Sequence, residues 1–271
     1  MTTVSYREFT GTAAENYEHH FVPAIGGPVA DVCIEVASPR AGESVLDVAC
    51  GTGVVARRAA DAVGPRGAVT GLDLAADMID VARRAPAPAE PRIDWHVGDA
   101  ARLPFPDGAY DVVVCQMGLM FMSDKDAAVA EMRRVLAPGG RAVVVTPGAI
   151  QPPFEIMERA IVEHISADLG AFVGLVFSMH DPGVLAGLLR RAGLDDVSAR
   201  VADVDLRLPP PREFLWQYIN ITPMGPIVAA APEGAKAALE RDTIRGWAPF
   251  LTDGRLAGRQ PMVIASGRRR R

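Results

Sequence analysis

The sequence predicts an α/β protein built on a doubly wound, mostly parallel seven-stranded sheet, with an N-terminal helical cap and helical lid inserts. Between residues 45 and 146, short apolar stretches alternate with longer stretches in which apolar residues recur at helical spacing. Strands that alternate with helices pair in parallel and are covered by helices on both faces. Because the crossovers are right-handed, the ligand crevice of such a sheet lies beyond the carboxyl ends of its strands.

The first of these strands leads into a glycine turn. Val45 to Val48 form an apolar run interrupted by one acid, Asp47, and the segment Ala49-Cys50-Gly51-Thr52-Gly53 follows. The two glycines let the chain turn tightly into an Ala/Arg-rich helix. With so little bulk in the turn, a ligand can lie against it and meet the free amides at the helix N-terminus.

The remaining elements are predicted in order along the chain. Core strands are expected at 68–73, 93–97, 110–115, 141–146, 197–206 and 261–266, and core helices at 52–63, 76–84, 125–136 and 181–192. Residues 1 to 10 are expected to be loosely ordered. A helix then begins at Thr10 or Thr12 and ends at Pro23 and Gly26-Gly27, and a second helix covers 28–37.

Composition and charge exclude several classes of function. The chain has 271 residues, 49% of them hydrophobic, which is enough for a full core, and its net charge of −5 disfavours nucleic acid as a partner. The three cysteines, Cys33, Cys50 and Cys115, show neither a disulfide framework nor metal-site spacing. No signal-peptide pattern and no apolar run of the roughly 20 residues that span a bilayer is seen. The sequence thus predicts a cytoplasmic protein without a membrane span or a metal, and it leaves a homodimer open.

Two ligand classes fit the crevice. Gly51-Thr52-Gly53-Val54-Val55-Ala56 matches the dinucleotide pattern, and Asp73, 20 residues after Gly53, suits a ribose-binding acid. Alone, these features indicate a nicotinamide-dependent oxidoreductase. Asp47 argues against it, because a carboxylate beside the turn repels a pyrophosphate and attracts an ammonium group. A ligand with a cationic amino acid end, a ribose and a base, such as S-adenosylmethionine, fits better.

Over residues 42–147 the chain resembles the class I S-adenosylmethionine-dependent methyltransferases, in the group that includes the ubiquinone/menaquinone-type and many small-molecule methyltransferases. The family's marks stand in the family's order: Val45-Leu46-Asp47-Val48-Ala49-Cys50-Gly51-Thr52-Gly53, Gly71-Leu72-Asp73-Leu74-Ala75-Ala76-Asp77-Met78, Gly98-Asp99-Ala100, Tyr110-Asp111-Val112-Val113-Val114-Cys115 and Leu136-Ala137-Pro138-Gly139-Gly140. The resemblance implies a Rossmann-like core, S-adenosylmethionine as cofactor and a small-molecule methyl acceptor.

The resemblance also implies roles for single residues around the methionine and ribose portions of the cofactor. Asp47 to Gly53 lies along the methionine portion, with Ala49, Cys50 and Gly51 in this segment. The backbone of Cys115, Gln116 and Met117 flanks the sulfonium, and Tyr17 closes over the methionine end. Asp73 holds the ribose hydroxyls, although a helix cap is the structural alternative. The cysteines are expected to pack rather than to react.

Around the adenine the resemblance implies four more residues. Leu74 and Met78 pack near the adenine and ribose. Asp99 accepts a hydrogen bond from the adenine amino group, and the amide of Ala100 donates to the ring. The alternative for Asp99 is a turn residue that bonds its own backbone.

The domain boundaries follow from these assignments. The cofactor-binding core takes 41–149, 180–207 and 259–267; residues 1–40 are cap helices, 150–179 and 208–258 are lid or substrate inserts, and 268–271 is a basic tail expected to extend into solvent. Both inserts are rich in aromatic residues, so they are expected to build a lid with an apolar pocket. The alternative is that these aromatics form only the core of the lid.

Methyl transfer is an in-line displacement that depends on aligned, dry reactants. A carbon or oxygen nucleophile also needs a proton acceptor, for which histidine is suited near neutral pH. His20, which shares a predicted helix face with Tyr17, is the first candidate, and His180 is the second. Two other functions stay open: a nicotinamide-dependent oxidoreductase, and a non-catalytic protein that binds S-adenosylmethionine.

Overall fold

The computed structural model describes residues 12–256 and 258–271. The predictions for residues 1–10, including a helix start at Thr10, lie outside these ranges. The alternative start is confirmed, because Thr12 is the N-cap of the first helix: its side chain accepts a hydrogen bond from the Glu15 amide, and the Glu15 side chain accepts one from the Thr12 amide.

The helices and strands have the following bounds. The helices are α1 (Ala13–Asn16), a π-helical segment (Tyr17–Gly26), α2 (Gly27–Ala37), α3 (Val54–Val63), α4 (Ala76–Arg84), α5 (Lys125–Val135), α6 (Pro152–His164), α7 (Ala167–Val176), α8 (Pro182–Arg191), α9 (Pro211–Asn220), α10 (Met224–Ala230) and α11 (Glu233–Trp247), with short 3-10 turns at Leu119–Phe121 and Ala248–Phe250. The strands are β1 (Ser44–Val48), β2 (Ala68–Asp73), β3 (Ile93–Val97), β4 (Tyr110–Gln116), β5 (Leu136–Pro147), β6 (Asp195–Asp205), β7 (Leu251–Thr252), β8 (Arg255–Leu256) and β9 (Arg259–Arg268).

The chain divides into two compact units. The sheet unit contains residues 29–149, 179–204 and 261–271, and the helical unit contains 150–178, 205–260 and the described residues before 29. The first boundary between the two units, after Pro28, falls inside the helices that were assigned to the cap. Residues 29–37 therefore belong to the sheet unit.

Seven strands form one sheet in the order β3-β2-β1-β4-β5-β9-β6, which confirms the predicted fold class. β1 pairs in parallel with β2 and with β4, β2 with β3, and β4 with β5, whereas β9 runs antiparallel to β5. The strand order reverses at β1, between β2 and β4. Loops after these strands therefore meet at one edge and leave a crevice there.

The central strands are buried on both faces. Val45, Leu46, Val112, Val113 and Val144 are each 0% exposed. This explains their continuous apolar runs, since a parallel strand covered by helices on both sides has no face for polar residues.

The helical unit has an aromatic core of its own. Phe154 has its ring centroid 5.3 Å from that of Phe177, 6.2 Å from Phe214 and 5.5 Å from Tyr218, and Phe214 lies 5.8 Å from Trp247. All five side chains are buried. These aromatics of the inserts are core residues, as the alternative interpretation held, although two of them also line a cavity described below.

The prediction of two separate N-terminal helices was wrong. The helical run continues from Ala13 to Ala37, and neither Pro23 nor Gly26-Gly27 ends it. The segment with Pro23 is a π-helix, in which the Gly27 amide bonds the Val22 carbonyl five residues earlier. Phe21, Ala24 and Ile25 of this segment are buried, and such packing offsets a cost of about 3 kcal/mol for an interior proline.

The end of α5 and the basic tail also differ from expectation. Leu136 was predicted as helix and Pro138 to Gly140 as a loop, but β5 begins at Leu136. Arg268 belongs to β9, and Arg269 pairs with this stretch: its amide donates to the Gly140 carbonyl, and its carbonyl accepts from the Gly139 amide. The Arg269 guanidinium donates to the carbonyls of Arg134 and Leu136. The backbone of Arg268 and Arg269 is thus paired with β5, whereas the side chains of Arg268, Arg270 and Arg271 are exposed.

One helical run in the described part of the chain, Ala13–Ala37, is long and apolar enough to cross a bilayer by length and composition. Of its most apolar window, 56% is buried inside the protein. Core helices pass the same test, so this is weak evidence for a membrane span.

Candidate cofactor site

The glycine turn after β1 is held in left-handed backbone conformations. Ala49, Gly51 and Gly53 have φ values of 56°, 55° and 88°. The Cys50 amide donates to the Leu72 carbonyl, which ties the turn to β2. The turn leads directly into α3, whose first amides have no acceptor within the helix. The predicted strand, turn and helix N-terminus are all present.

A tryptophan ring occupies the space beside the Cα of Gly53. A Cβ at Gly53 would lie 2.2 Å from Cη2 of Trp95, and a Cβ at Gly71 would lie 2.4 Å from Cζ3 of the same ring. The missing side chain at Gly53 therefore makes room for an indole from β3. Contact of the Gly53 backbone with a ligand stays a prediction.

Asp73, at the end of β2, is half-buried and bound to the backbone through both oxygens. Its Oδ2 accepts from the Gly51 amide at 2.7 Å, and its Oδ1 accepts from the Ala75 amide at 2.9 Å. Burial raises its pKa. A carboxylate has about four acceptor positions, so each oxygen can still accept a ribose hydroxyl while it holds the turn.

Asp47 lies beneath the turn rather than at its surface. It is 1% exposed, and its Oδ2 accepts from the Ala56 amide at 3.0 Å. Burial, together with the neighbouring Asp73, raises its pKa to about 8. The carboxyl group of Asp47 is therefore enclosed by the chain, and its expected place along the methionine portion of the cofactor stays a prediction.

The electrostatic part of the prediction nevertheless fits S-adenosylmethionine. Asp47 Oδ1 and Thr52 Oγ1 are buried oxygens without a hydrogen-bond partner among the described residues. Burial raises the pKa of both Asp47 and Asp73, so a cation nearby, which would favour their ionised forms, is preferred to a pyrophosphate. The residues of the turn thus fit a zwitterion that carries a sulfonium and an ammonium group.

The expected adenine side of the crevice carries exposed apolar surface. Leu74, directly after Asp73, is 73% exposed, and Val97 at the end of β3 is 50% exposed. Met78 is half-buried one turn into α4. Exposed side chains of this size next to polar groups are typical of a ligand surface.

Asp99 and Ala100 follow β3 at the same edge. Asp99 is exposed, and its Oδ1 accepts from the Ala101 amide at 2.9 Å, which is the turn arrangement considered as the alternative. Its other oxygen has no partner among the described residues. Ala100 is buried. The turn thus fixes the Asp99 carboxylate without using all of its acceptor capacity.

The loop after β4 approaches the glycine turn closely. Met117 has a φ of 53°, and its amide donates to the Val145 carbonyl at 2.7 Å. Gly118 follows, and a Cβ there would lie 2.5 Å from the Ala49 Cβ. Gln116 is buried at the end of the strand. The ends of β1 and β4 therefore touch at the point where the strand order reverses.

The two cysteines of this region are packing residues. Cys50 and Cys115 are buried, and burial raises the pKa of Cys115 to about 12 and that of Cys50 well above its usual value. Thiols with such pKa values stay protonated and are not nucleophiles at neutral pH.

The histidine and tyrosine candidates are divided between the units. His180 is exposed in the sheet unit, just before the N-cap of α8. Tyr17 and His20 belong to the helical unit, where the Tyr17 ring stacks on Phe21 at 4.5 Å. Burial and the neighbouring His19 lower the pKa of His20, and Glu213 opposes them.

Sequence reasoning missed three residues that shape the site. Trp95 occupies the space at Gly53, Thr52 contributes a buried hydroxyl, and Gly118 allows the turns to meet. The signal for Gly118 was available, because a glycine directly after a strand end indicates close backbone approach. Nothing local indicated that Trp95 faces the turn.

The fold and the crevice define an α/β protein whose sheet edge is suited to an adenosine-bearing cation. Residues 45–140 match the profile of a family described as a methyltransferase domain. The ubiquinone/menaquinone biosynthesis C-methyltransferase of Caulobacter sp. strain K31 is 33% identical over 179 residues, covering 59% of this chain and 71% of that protein. The nocamycin O-methyltransferase of Saccharothrix syringae is 29% identical over 262 residues, covering 90% and 91%.

A solved structure agrees with the fold. The phosphoethanolamine N-methyltransferase 2 of Haemonchus contortus, in complex with phosphomonomethylethanolamine and S-adenosylhomocysteine, superposes with a TM-score of 0.60 at 18% identity, covering 99% of this chain and 61% of that one. The chain belongs to the class I S-adenosylmethionine-dependent methyltransferases. It is therefore an enzyme of the EC 2.1.1 class with S-adenosylmethionine as its cofactor, and the relatives give no support to the oxidoreductase or non-catalytic alternatives.

Proposed function

We propose that the methyl acceptor is an apolar or amphipathic small molecule that is methylated at oxygen or carbon. The observation that carries the proposal is the aromatic, largely uncharged interior of the helical unit, which suits an apolar ligand. The two relatives named above, one a C-methyltransferase and one an O-methyltransferase, support both atoms as targets. The buried, unpaired cysteines are in keeping with work in the cytoplasm, and a homodimer stays a prediction.

The residues of the chain contribute to the reaction by binding the cofactor and by aligning the two reactants. When bound, S-adenosylmethionine supplies a methyl group on a positively charged sulfur, and the electron pair of the broken C–S bond stays on that sulfur. Asp73 would hold the ribose hydroxyls, and the turn from Ala49 to Gly53 would line the methionine portion. Holding both reactants in line removes much of the entropic barrier. Tyr17, another predicted cofactor contact, would close over the methionine end of S-adenosylmethionine.

His20 is proposed to take the proton that an oxygen or carbon nucleophile loses. Its lowered pKa keeps the imidazole neutral at pH 7, as a proton acceptor must be. His180 stays the second candidate because it is exposed and lies outside the helical unit.

Transfer of labelled methyl groups from S-adenosylmethionine to a fractionated metabolite extract tests the acceptor class. We expect label in apolar or amphipathic products of low mass, with oxygen or carbon methylation read from their fragmentation. Label confined to protein, nucleic acid or highly charged metabolites would contradict the proposal.

The variant His20→Gln tests the proton acceptor. We expect kcat to fall roughly 100-fold or more, with unchanged affinity for S-adenosylhomocysteine. In the wild type, kcat should rise with pH through a pKa below 6.5 and then level, because only neutral His20 accepts a proton. His19→Gln is the matched control, because His19 is exposed. Since His19 lowers the pKa of His20, its loss should only move the rise of kcat to higher pH. Full activity of His20→Gln would remove this residue from the mechanism.

A further inference from the structure

A small cavity lies within the helical unit, between the π-helical segment and α9. It is lined by His20, Phe21, Ala24, Ile25, Phe214, Gln217, Tyr218 and Ile221. Its free volume is about 10 Å³, on the scale of one water molecule. Most of its walls are hydrocarbon, so the polar side chains that reach it need a specific explanation.

Tyr218 is the first of these polar side chains. It is 6% exposed, and its ring is fixed against Phe154 and Phe214, at 5.5 and 5.9 Å between centroids. Its hydroxyl makes no hydrogen bond within the described part of the chain. Buried tyrosine hydroxyls usually have a partner, so this position is prepared for a group that the chain itself does not supply.

Gln217 is the second. It is 8% exposed, and its Nε2 donates to Glu213 Oε1 at 2.7 Å. This bond fixes the orientation of the amide. Among residues 12–256 and 258–271, the Oε1 atom of Gln217 has no donor, and it is therefore an oriented acceptor in a mostly apolar wall.

The charges around the cavity select the kind of ligand. None of the residues that line it is a lysine or an arginine, and the carboxylate of Glu213 is bonded to Gln217. An anionic group would meet a negative charge without a compensating cation. Tyr218 can donate or accept, and Gln217 Oε1 accepts, so a neutral group that both donates and accepts satisfies both residues.

We propose that Tyr218, Gln217 and His20 form a subsite for one neutral hydroxyl of the methyl acceptor, of the phenol or enol class. The inference rests on the proposed function, and it names the group by which the acceptor is recognised. The free volume is on the scale of one oxygen atom, so the carbon skeleton of the acceptor lies outside it. Tyr218 and Gln217 are binding residues in this proposal, and His20 lies beside the same hydroxyl.

Titrations of the full chain with 4-fluorophenol and 4-fluorotoluene, followed by ¹⁹F NMR in the presence of S-adenosylhomocysteine, test the subsite. The two probes differ only in the hydroxyl. We expect 4-fluorophenol to bind more tightly, and Tyr218→Phe or Gln217→Met to weaken it about three- to ten-fold, as the loss of one hydrogen bond requires. Binding of 4-fluorotoluene should change less than about two-fold, since no hydrogen bond is lost.

Tyr110→Phe is the matched control, because its hydroxyl bonds Thr70 in the sheet unit. It should leave both probes unaffected. Equal affinity of the two probes for the wild type, or no binding of 4-fluorophenol up to its solubility limit, would overturn the subsite without any variant being needed. Binding of S-adenosylhomocysteine and methyl transfer to an apolar product are read separately, so the failure of the proposed function is distinguishable from the failure of this inference.

Discussion

At Asp47 and Asp73, two carboxyl groups at neighbouring strand ends are given different tasks by their surroundings. Asp47 is enclosed and accepts one amide, whereas Asp73 is half-buried and accepts two. Asp47 is therefore mostly protonated at neutral pH, since burial raises its pKa to about 8. The more accessible group keeps acceptor positions that face the crevice.

Asp47→Asn should flatten the pH dependence of stability in the ligand-free protein. The folded pKa of about 8 lies above the usual aspartate value of 3.8, so the folded state binds up to one more proton than the unfolded state between these pH values. The free energy of unfolding should therefore fall as pH rises through this window, by up to roughly 3 kcal/mol between pH 5 and 7.5. Asparagine keeps an acceptor for the Ala56 amide. Urea unfolding at both pH values measures the difference.

Asp61→Asn, on the exposed surface of α3, controls for the loss of a negative charge. It should leave the slope unchanged. Asp73 contributes in the same direction as Asp47, because its pKa is also raised, so some slope should remain in Asp47→Asn. An identical slope in Asp47→Asn and the wild type would show that Asp47 is ionised in the folded chain.

Asp73→Ala should weaken binding of S-adenosylhomocysteine by roughly 1.5 to 3 kcal/mol, because a charged acceptor for the ribose is lost. Isothermal titration calorimetry measures this directly. Asp73→Asn retains one acceptor oxygen and should fall between the wild type and the alanine variant. Unchanged affinity in a folded Asp73→Ala protein would place the ribose elsewhere.

At the scale of elements, helix and strand ends depended on partners distant in sequence. The helical run through Pro23 continues because its apolar face is packed in the helical unit, and β5 begins early because the backbone of Arg269 pairs with Gly139 and Gly140. Proline and glycine indicate where an element can end. Packing and pairing decide whether it does.

Gly53→Ala should destabilise the turn between β1 and α3 more than a left-handed backbone alone explains. The new Cβ would lie 2.2 Å from Trp95. Gly42→Ala is the matched control, with φ +86° against +88° at Gly53 and no atom within 4 Å. Both variants bear a conformational cost of about 1 to 2 kcal/mol, and Gly53→Ala should lose about 1 to 3 kcal/mol more through overpacking.

Chemical unfolding of the two variants, with Trp95 fluorescence as a local probe, measures the difference between them. The double variant Gly53→Ala/Trp95→Leu should recover part of the loss, since the smaller side chain leaves room for the methyl group. Equal destabilisation of Gly53→Ala and Gly42→Ala would mean that the ring does not occupy this space.

At the scale of the whole molecule, cofactor binding and stability are linked. S-adenosylhomocysteine at 100 times its dissociation constant should raise the free energy of unfolding by about 2.7 kcal/mol, because it binds only the folded state. NAD at the same concentration should cause no shift, since a pyrophosphate would lie near two buried acids. Thermal and chemical unfolding with each ligand provide the measurement. Stabilisation by NAD alone would contradict the assigned cofactor class.

The sequence by itself determined the order of strands and helices, the doubly wound sheet and the edge at which the ligand residues gather. These follow from local signals: apolar periodicity, glycine turns and acids at strand ends are visible within a few residues. Even the alternative roles of Asp99 and of the insert aromatics could be stated in advance, because turn chemistry and apolar burial are general.

Only the tertiary structure decided which of these groups face the crevice. Asp47 and Asp73 look alike in sequence, yet Asp47 is enclosed beneath the turn. The missing side chain of Gly53 makes room for Trp95, and the cavity at Tyr218 joins segments nearly 200 residues apart. The reason is physical. Burial, close approach and the pairing of polar atoms depend on neighbours brought together by folding, and no local pattern encodes those neighbours.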